Sequence, residues 1–224
     1  MFSYYGSKSK VVDLYPAPKY GKIIEPFAGS ARYSLKYWDR DVLLVDKYET
    51  IIRIWKWLQR CSPSDIIGLP DLKNGETVDS FGLCDEAKWL IGFCINRGSA
   101  QPKKSPKVFN SWSDNKRQIA DQLFKIRHWN IMCGDYKSVD NQTATWFIDP
   151  PYQTGGEWYV EDNSSVDYKE LEVWARSRNG QVIVCENTKA NWLPFWPIGE
   201  LSGAYSKTTE AIWMNDVEQM AMFT

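Results

Sequence analysis

Short apolar runs that stop abruptly at polar turns set the rhythm of this chain. Ile23-Ile24, leading into Glu25-Pro26-Phe27, has the length of a buried strand and empties into Ala28-Gly29-Ser30. A helix is predicted from about Ala31 to Tyr37, and Val42-Leu43-Leu44-Val45 is a second buried run, ending at Asp46. Apolar positions then change period: Ile51, Ile54, Trp55 and Leu58 fall on one face of a helix. Strand, loop, helix, strand, acid, helix is the opening of a doubly wound α/β sheet.

The pattern changes between Ser62 and Asn110, where no strand is evident, a helix is predicted from Asp85 to Ile95, and Pro, Lys and Ser crowd residues 99–107. Helical spacing returns at Ile119, Leu123 and Ile126, with Ser113 as the expected N-cap. Trp129 to Cys133 predicts a strand closing at Gly134-Asp135, and Trp146-Phe147-Ile148 another, closing at Asp149. Residues 153–165 read as a polar, mobile loop, followed by a helix over 168–178 and a buried strand at Gln181–Cys185. The tail predicts a hairpin of strands near 210–214 and 219–223 around Asn215-Asp216. The division expected is a catalytic domain of residues 1–60 and 130–224, interrupted by an insertion at 61–129 that carries a basic loop back into the sheet.

Composition narrows the class. With 43% hydrophobic and 25% charged residues the chain is globular, and it has neither an apolar membrane span nor a signal-peptide start. Five scattered cysteines without a CxxC pair read as reduced thiols of a cytosolic protein and support no zinc site; no metal is expected. The single histidine, His128, reads as structural, which disfavours a histidine base. The net charge of −1 hides an asymmetry: between Arg97 and His128 eight Lys or Arg stand against two Asp. A basic face of that kind suits a polyanion.

The chemistry concentrates at Asp149-Pro150-Pro151-Tyr152. Two prolines cannot donate ladder hydrogen bonds, so the strand ends there, and a carboxylate, a bare carbonyl and a ring collect at one sheet edge. Such a group can grip a planar amino-bearing heterocycle: two acceptors for the NH2, one surface to stack on. Gly29, at a strand-to-helix junction, permits close approach of a ligand to the backbone. Asp46 at the next strand end is placed for ribose hydroxyls, and Asp135 either for an adenine amino group or as a turn cap at Gly134-Asp135.

In this order the residues resemble the D12, or Dam-like, adenine-specific DNA methyltransferases. The resemblance runs through Tyr4-Tyr5-Gly6-Ser7-Lys8, Pro26-Phe27-Ala28-Gly29, the 61–129 insertion, Gly134-Asp135-Tyr136 and Asp149–Tyr152. Ser7 stands where the family commonly has a second glycine, and Ala31 where many members have another. The resemblance implies a Rossmann-like doubly wound mixed sheet of the class I S-adenosylmethionine-dependent kind, with a small, mainly helical insertion. It implies S-adenosylmethionine as cofactor, S-adenosylhomocysteine as product, and N6 of an adenine flipped out of double-stranded DNA as target. Tyr4 and Lys8 are expected at the methionine end, Pro26, Phe27, Ala28, Gly29 and Ser30 along the backbone side, Asp46 at the ribose, Asp135 and Tyr136 at the adenine, and Asp149 between cofactor and base. Asp149, Pro150, Pro151 and Tyr152 are the catalytic set. Phosphate contacts are expected from Arg97, Lys103, Lys104, Lys107, Lys116 and Arg117, and base contacts from Gln101, Asn110 or Ser111. The setting implied is the cytoplasm of a bacterium or a phage-infected host, as monomer or weak dimer, with a restriction endonuclease encoded alongside as a partner the family allows. The alternatives are an RNA-adenine or protein-glutamine methyltransferase and a non-catalytic DNA-binding remnant of the same fold.

Overall fold

A computed structural model describes the chain except residues 3, 5, 10, 96–98, 107–111, 157–162, 203–206 and 217–224. Seven strands form one sheet: β1 (Lys22–Glu25), β2 (Asp41–Asp46), β3 (Asn130–Cys133), β4 (Ala144–Ile148), β5 (Gly180–Asn187), β6 (Trp196–Ser202) and β7 (Lys207–Met214). Their spatial order is β3-β2-β1-β4-β5-β7-β6. Strands β1 to β5 are mutually parallel, and β7 runs antiparallel to both β5 and β6. The sheet is therefore a Rossmann-like, doubly wound mixed sheet.

Both faces are covered, which is why the strands are continuous apolar runs rather than alternating ones. Side chains divide by parity along β4 and β5. Phe147, Ile183 and Cys185 enter one core, and Trp146, Ile148, Val182 and Val184 the other. On the first face lie α1 (Arg32–Lys36), α2 (Glu49–Leu58), α4 (Asp85–Cys94) and α5 (Trp112–Gln122); the short α3 (Pro63–Ile67) packs on α5. On the second, α6 (Tyr168–Arg176) buries Leu171 and Ala175. Trp55 of α2 is fully buried and donates its indole N–H to the Gly29 carbonyl at 3.0 Å, tying a helix face to the β1 loop.

Segment 61–129 is set apart in sequence but shares the first core through residues such as Leu69, Leu90, Phe93, Trp112 and Ile119. It forms the crossover from β2 to β3. Gly92 lets residues 102–103 lie against α4: a Cβ there would meet the Lys103 carbonyl oxygen at 2.5 Å.

Three expectations need correction. Ser113 is not the N-cap of α5; the helix has begun by Trp112, and the Ser113 hydroxyl donates to Asp71 at 3.1 Å. The tail hairpin pairs β7 with β6, which lies before it in sequence; the strand expected at 219–223 lies outside the described residues. The start of the expected mobile loop is tied down, since Gln153 N–H donates to Glu186 at 2.6 Å and Asn187 donates to the Thr154 carbonyl at 2.7 Å. No helix among the described residues is long and apolar enough to cross a membrane.

Candidate functional site

Sequential strands leave β1 in opposite directions, β2 and β3 to one side, β4 and β5 to the other. Ligands of open α/β sheets bind outside the carboxyl ends of the strands at this switch point. Here a cleft open to solvent occupies it, lined by the loop after β1, the ends of β2, β3 and β4, and the N-terminal segment.

The loop after β1 forms its floor. Ala28 N–H donates to the Val45 carbonyl at 2.9 Å, and Gly29 N–H to Asp46 at 2.9 Å, so the loop is moored to the end of β2. Gly29 and Ala31 both take left-handed backbone, with φ of 44° and 46°. At Gly29 a Cβ would stand 3.1 Å from the Tyr4 ring. Gly29→Ala should therefore cost about 1–3 kcal/mol in denaturant unfolding, from backbone strain and displacement of Tyr4. At Ala31 the methyl is already accommodated and buried. Ala31→Gly should stay within about 1 kcal/mol of the parent, relief of strain offsetting lost burial and added backbone entropy.

The N-terminal segment closes one wall. Arg32 holds it by donating to Ser7 Oγ at 3.1 Å and to the Phe2 carbonyl at 2.9 Å, while Phe2 packs 5.1 Å from Trp55 and Tyr4 meets Phe93 edge-on. Opposite, Phe27 and Tyr136 stack with centroids 5.3 Å apart, and Asp135 accepts from Lys137 N–H at 3.0 Å. All eleven residues expected around a cofactor line this one cleft: Tyr4, Lys8, Pro26 to Ser30, Asp46, Asp135, Tyr136 and Asp149. Of the expected catalytic set, Asp149 and Pro151 line it; Pro150 and Tyr152 do not.

Lys8 is 6% exposed and its ammonium lies 2.9 Å from Asp149, whose side chain is 17% exposed. Burial pushes the Asp149 carboxyl up to about 6; Lys8 opposes that rise and Glu210 adds to it. Lys8 also donates to the Tyr152 hydroxyl and sits 4.2 Å from that ring's centroid.

Sequence reasoning passed over several members of this site. Glu25 ends β1, lines the cleft and accepts from Ser34 N–H at 2.7 Å; burial pushes its carboxyl up to about 8. Its signal was available, an acid closing a strand just as Asp46 and Asp135 do. Glu186, pushed up to about 7 by burial, receives the Gln153 backbone and the Trp192 indole. Tyr15 and Glu210 meet Tyr152 beneath the Asp149 turn.

Strand order, the antiparallel β7 and a cleft at the β1/β4 switch point decide the architecture. The fold is a Rossmann-like doubly wound sheet with one antiparallel strand. No family model matches the chain, and no curated protein matches it. Among solved structures, the candidate methyltransferase yhhF from Escherichia coli aligns over 92% of this chain and 78% of its own, with 8% identity and a TM-score of 0.38.

The donor set fits an adenosine-bearing cation. Strand-end carboxylates (Asp46, Asp135, Asp149) surround the cleft, two aromatic rings flank one end, and Gly29 opens the backbone at the middle. Among the described residues no group of three or more His, Cys, Asp or Glu is placed to hold a metal ion.

The expected phosphate contacts separate. Lys103, Lys104 and Arg117 are exposed, although Lys104 pairs with Asp79 at 2.8 Å. Lys116 turns inward, 9% exposed, pairing with Asp71 at 2.9 Å and donating to the Leu69 carbonyl, so it is spent on holding α5 to the segment after α3. Arg97 and Lys107, with the expected base contacts Asn110 and Ser111, lie outside the described residues; Gln101 is exposed.

Proposed function

We propose that this chain is an S-adenosylmethionine-dependent DNA methyltransferase acting on N6 of a flipped adenine. The observation that carries the reading is Asp149 at the end of β4, facing the cleft beside the β1 loop and paired with Lys8 at 2.9 Å. S-adenosylmethionine, when bound, supplies an electrophilic methyl group on a sulfonium centre. Adenine's amino nitrogen is a poor nucleophile because its lone pair is delocalised into the ring. Asp149 and the Pro150 carbonyl each accept one amino hydrogen, which favours a tetrahedral nitrogen with its lone pair free. Lys8 keeps Asp149 ionised for that task, and Tyr152 offers its ring to the base. Positioning and fixed charge supply the catalysis, with no covalent enzyme intermediate. A base inside a duplex cannot reach this turn, so it must leave the stack.

Incubation with methyl-labelled cofactor and a mixture of DNA and RNA, followed by mapping of the modified base, tests the reading. Label on N6 of adenine in DNA is the expected result; label confined to RNA, or none at all, overturns it.

The exposed lysines before α5 are the proposed phosphate contacts. Lys103→Glu with Lys104→Glu should weaken DNA binding and reduce the slope of log affinity against log salt by about 2. An unchanged slope would remove this segment from the interface.

A further inference from the structure

Glu210 is a fully buried carboxylate in β7, between the polar Lys207-Thr208-Thr209 and the apolar Ala211-Ile212-Trp213-Met214. Its Oε1 accepts from the Tyr15 hydroxyl at 2.6 Å and the Tyr152 hydroxyl at 2.5 Å, and stands 3.6 Å from the Lys8 ammonium. One ammonium thus faces two carboxylates: Asp149 from the end of β4 and Glu210 from β7. Burying a charge is costly unless it is paired, and Lys8 is closer to Asp149 than to Glu210. An apolar side chain would serve packing better here, so the carboxylate needs another explanation. What it holds is specific: the hydroxyl of the ring expected to meet the base, and the far side of the cation that pairs with the expected amino-group acceptor.

We propose that Glu210 is a positioning residue, fixing Tyr152 and Lys8 so that the ring and the Asp149 carboxylate present one geometry to the substrate. This rests on the methyl-transfer reading above. Tyr15 completes the arrangement by donating to the same Glu210 oxygen, its ring edge-on to Phe147 at 5.0 Å. The effect is electrostatic as well as steric. The groups facing Asp149 are Lys8 from the N-terminal segment, Glu25 from β1, Cys185 from β5, Glu210 from β7, and Tyr15 and Tyr152. Burial and Glu210 raise the Asp149 carboxyl, and Lys8 lowers it. Removing the Glu210 charge leaves the pull of Lys8 less opposed, so Asp149 should titrate at lower pH.

Glu210→Gln tests this, because Gln keeps the size and an acceptor for the tyrosines but not the charge. Two measurements are needed. In the ligand-free protein, carbon NMR of labelled aspartate should show the Asp149 midpoint move to lower pH. In methyl transfer to DNA, kcat should fall about tenfold with KM for the cofactor little changed, and the acid limb of the pH profile should move in the same direction as the NMR midpoint. Tyr15→Phe should lower kcat without moving that midpoint. A folded Glu210→Gln variant with unaltered midpoint and kcat overturns the proposal. If Glu210→Gln does not fold, Tyr15→Phe decides, and an unchanged kcat there overturns it. If the wild-type protein transfers no methyl group to DNA, the functional reading fails by itself, and the NMR midpoint alone then judges whether Glu210 governs Asp149.

Discussion

Asp149→Ala is expected to abolish methyl transfer, a loss of at least about a thousandfold or about 4 kcal/mol of transition-state stabilisation, while cofactor binding persists within about tenfold. The carboxylate sits where β4 ends against two prolines. Its removal also takes away the nearer carboxylate of Lys8, which keeps the Tyr152 hydroxyl and Glu210 at 3.6 Å. The rest of the cleft keeps its shape, because the β1 loop is moored to Asp46 and Trp55 rather than to Asp149. Label incorporation measured beside calorimetric titration of cofactor separates the two effects. A variant that methylates at the parental rate would sink the mechanism. Since the Asp149 carboxyl is pushed up to about 6 and must be ionised to accept amino hydrogens, wild-type transfer should climb as pH rises through that value and level off above it.

Gly180→Ala should have the largest effect on stability. Gly180 opens β5 opposite Ala144, with φ of 103°, a conformation few side chains adopt. An added Cβ would lie 2.2 Å from the Ala144 carbonyl oxygen and 2.9 Å from its nitrogen, and neither atom can move without breaking the β4–β5 ladder. The expected cost exceeds about 3 kcal/mol, near 10 °C in melting temperature for a chain of this size. Because the same ladder carries Asp149 and Glu186 at its other end, activity should fall even where the variant remains folded. A melting temperature within about 2 °C of the parent would show that the sheet can re-register, contrary to this account.

The five parallel strands were readable because each is an apolar run closed by an acid, a glycine or a proline, and the cleft follows from where those runs stop. Asp46, Asp135 and Asp149 announced themselves as strand-end carboxylates. Glu210 did not, for a topological reason. β7 runs against its neighbours, so the residue that reaches the carboxyl edge of the sheet is near its beginning, where a lone Glu before Ala-Ile-Trp-Met looks like a solvent-facing position. β6 was hidden by its own chemistry: Pro197 and Gly199 weaken a strand pattern, and both are tolerated because β6 is an edge strand with an irregular register there. Ser62-Pro63-Ser64-Asp65 forms a capping box at the start of α3, a local signal that apolar periodicity passes over because the helix is only five residues long. Lys116 looked like its exposed neighbours because charge counts carry no direction; only the position of Asp71 shows that it points inward.

The antiparallel seventh strand also has a consequence for the order in which the molecule matures. Tyr15 and Glu210 are separated by 195 residues and Lys8 and Tyr152 by 144, so their junction is among the most non-local contacts in the chain. Closing such distant loops is slow, so β1 to β5 and the cleft at their carboxyl ends can form before β7 docks Glu210 behind Asp149. On the proposed reading, affinity for a ligand and competence to transform it would then arise at different moments of folding. Fraying of the β6–β7 hairpin in the mature protein would separate them again, leaving a form that still captures ligand but has lost the brace behind its reactive turn.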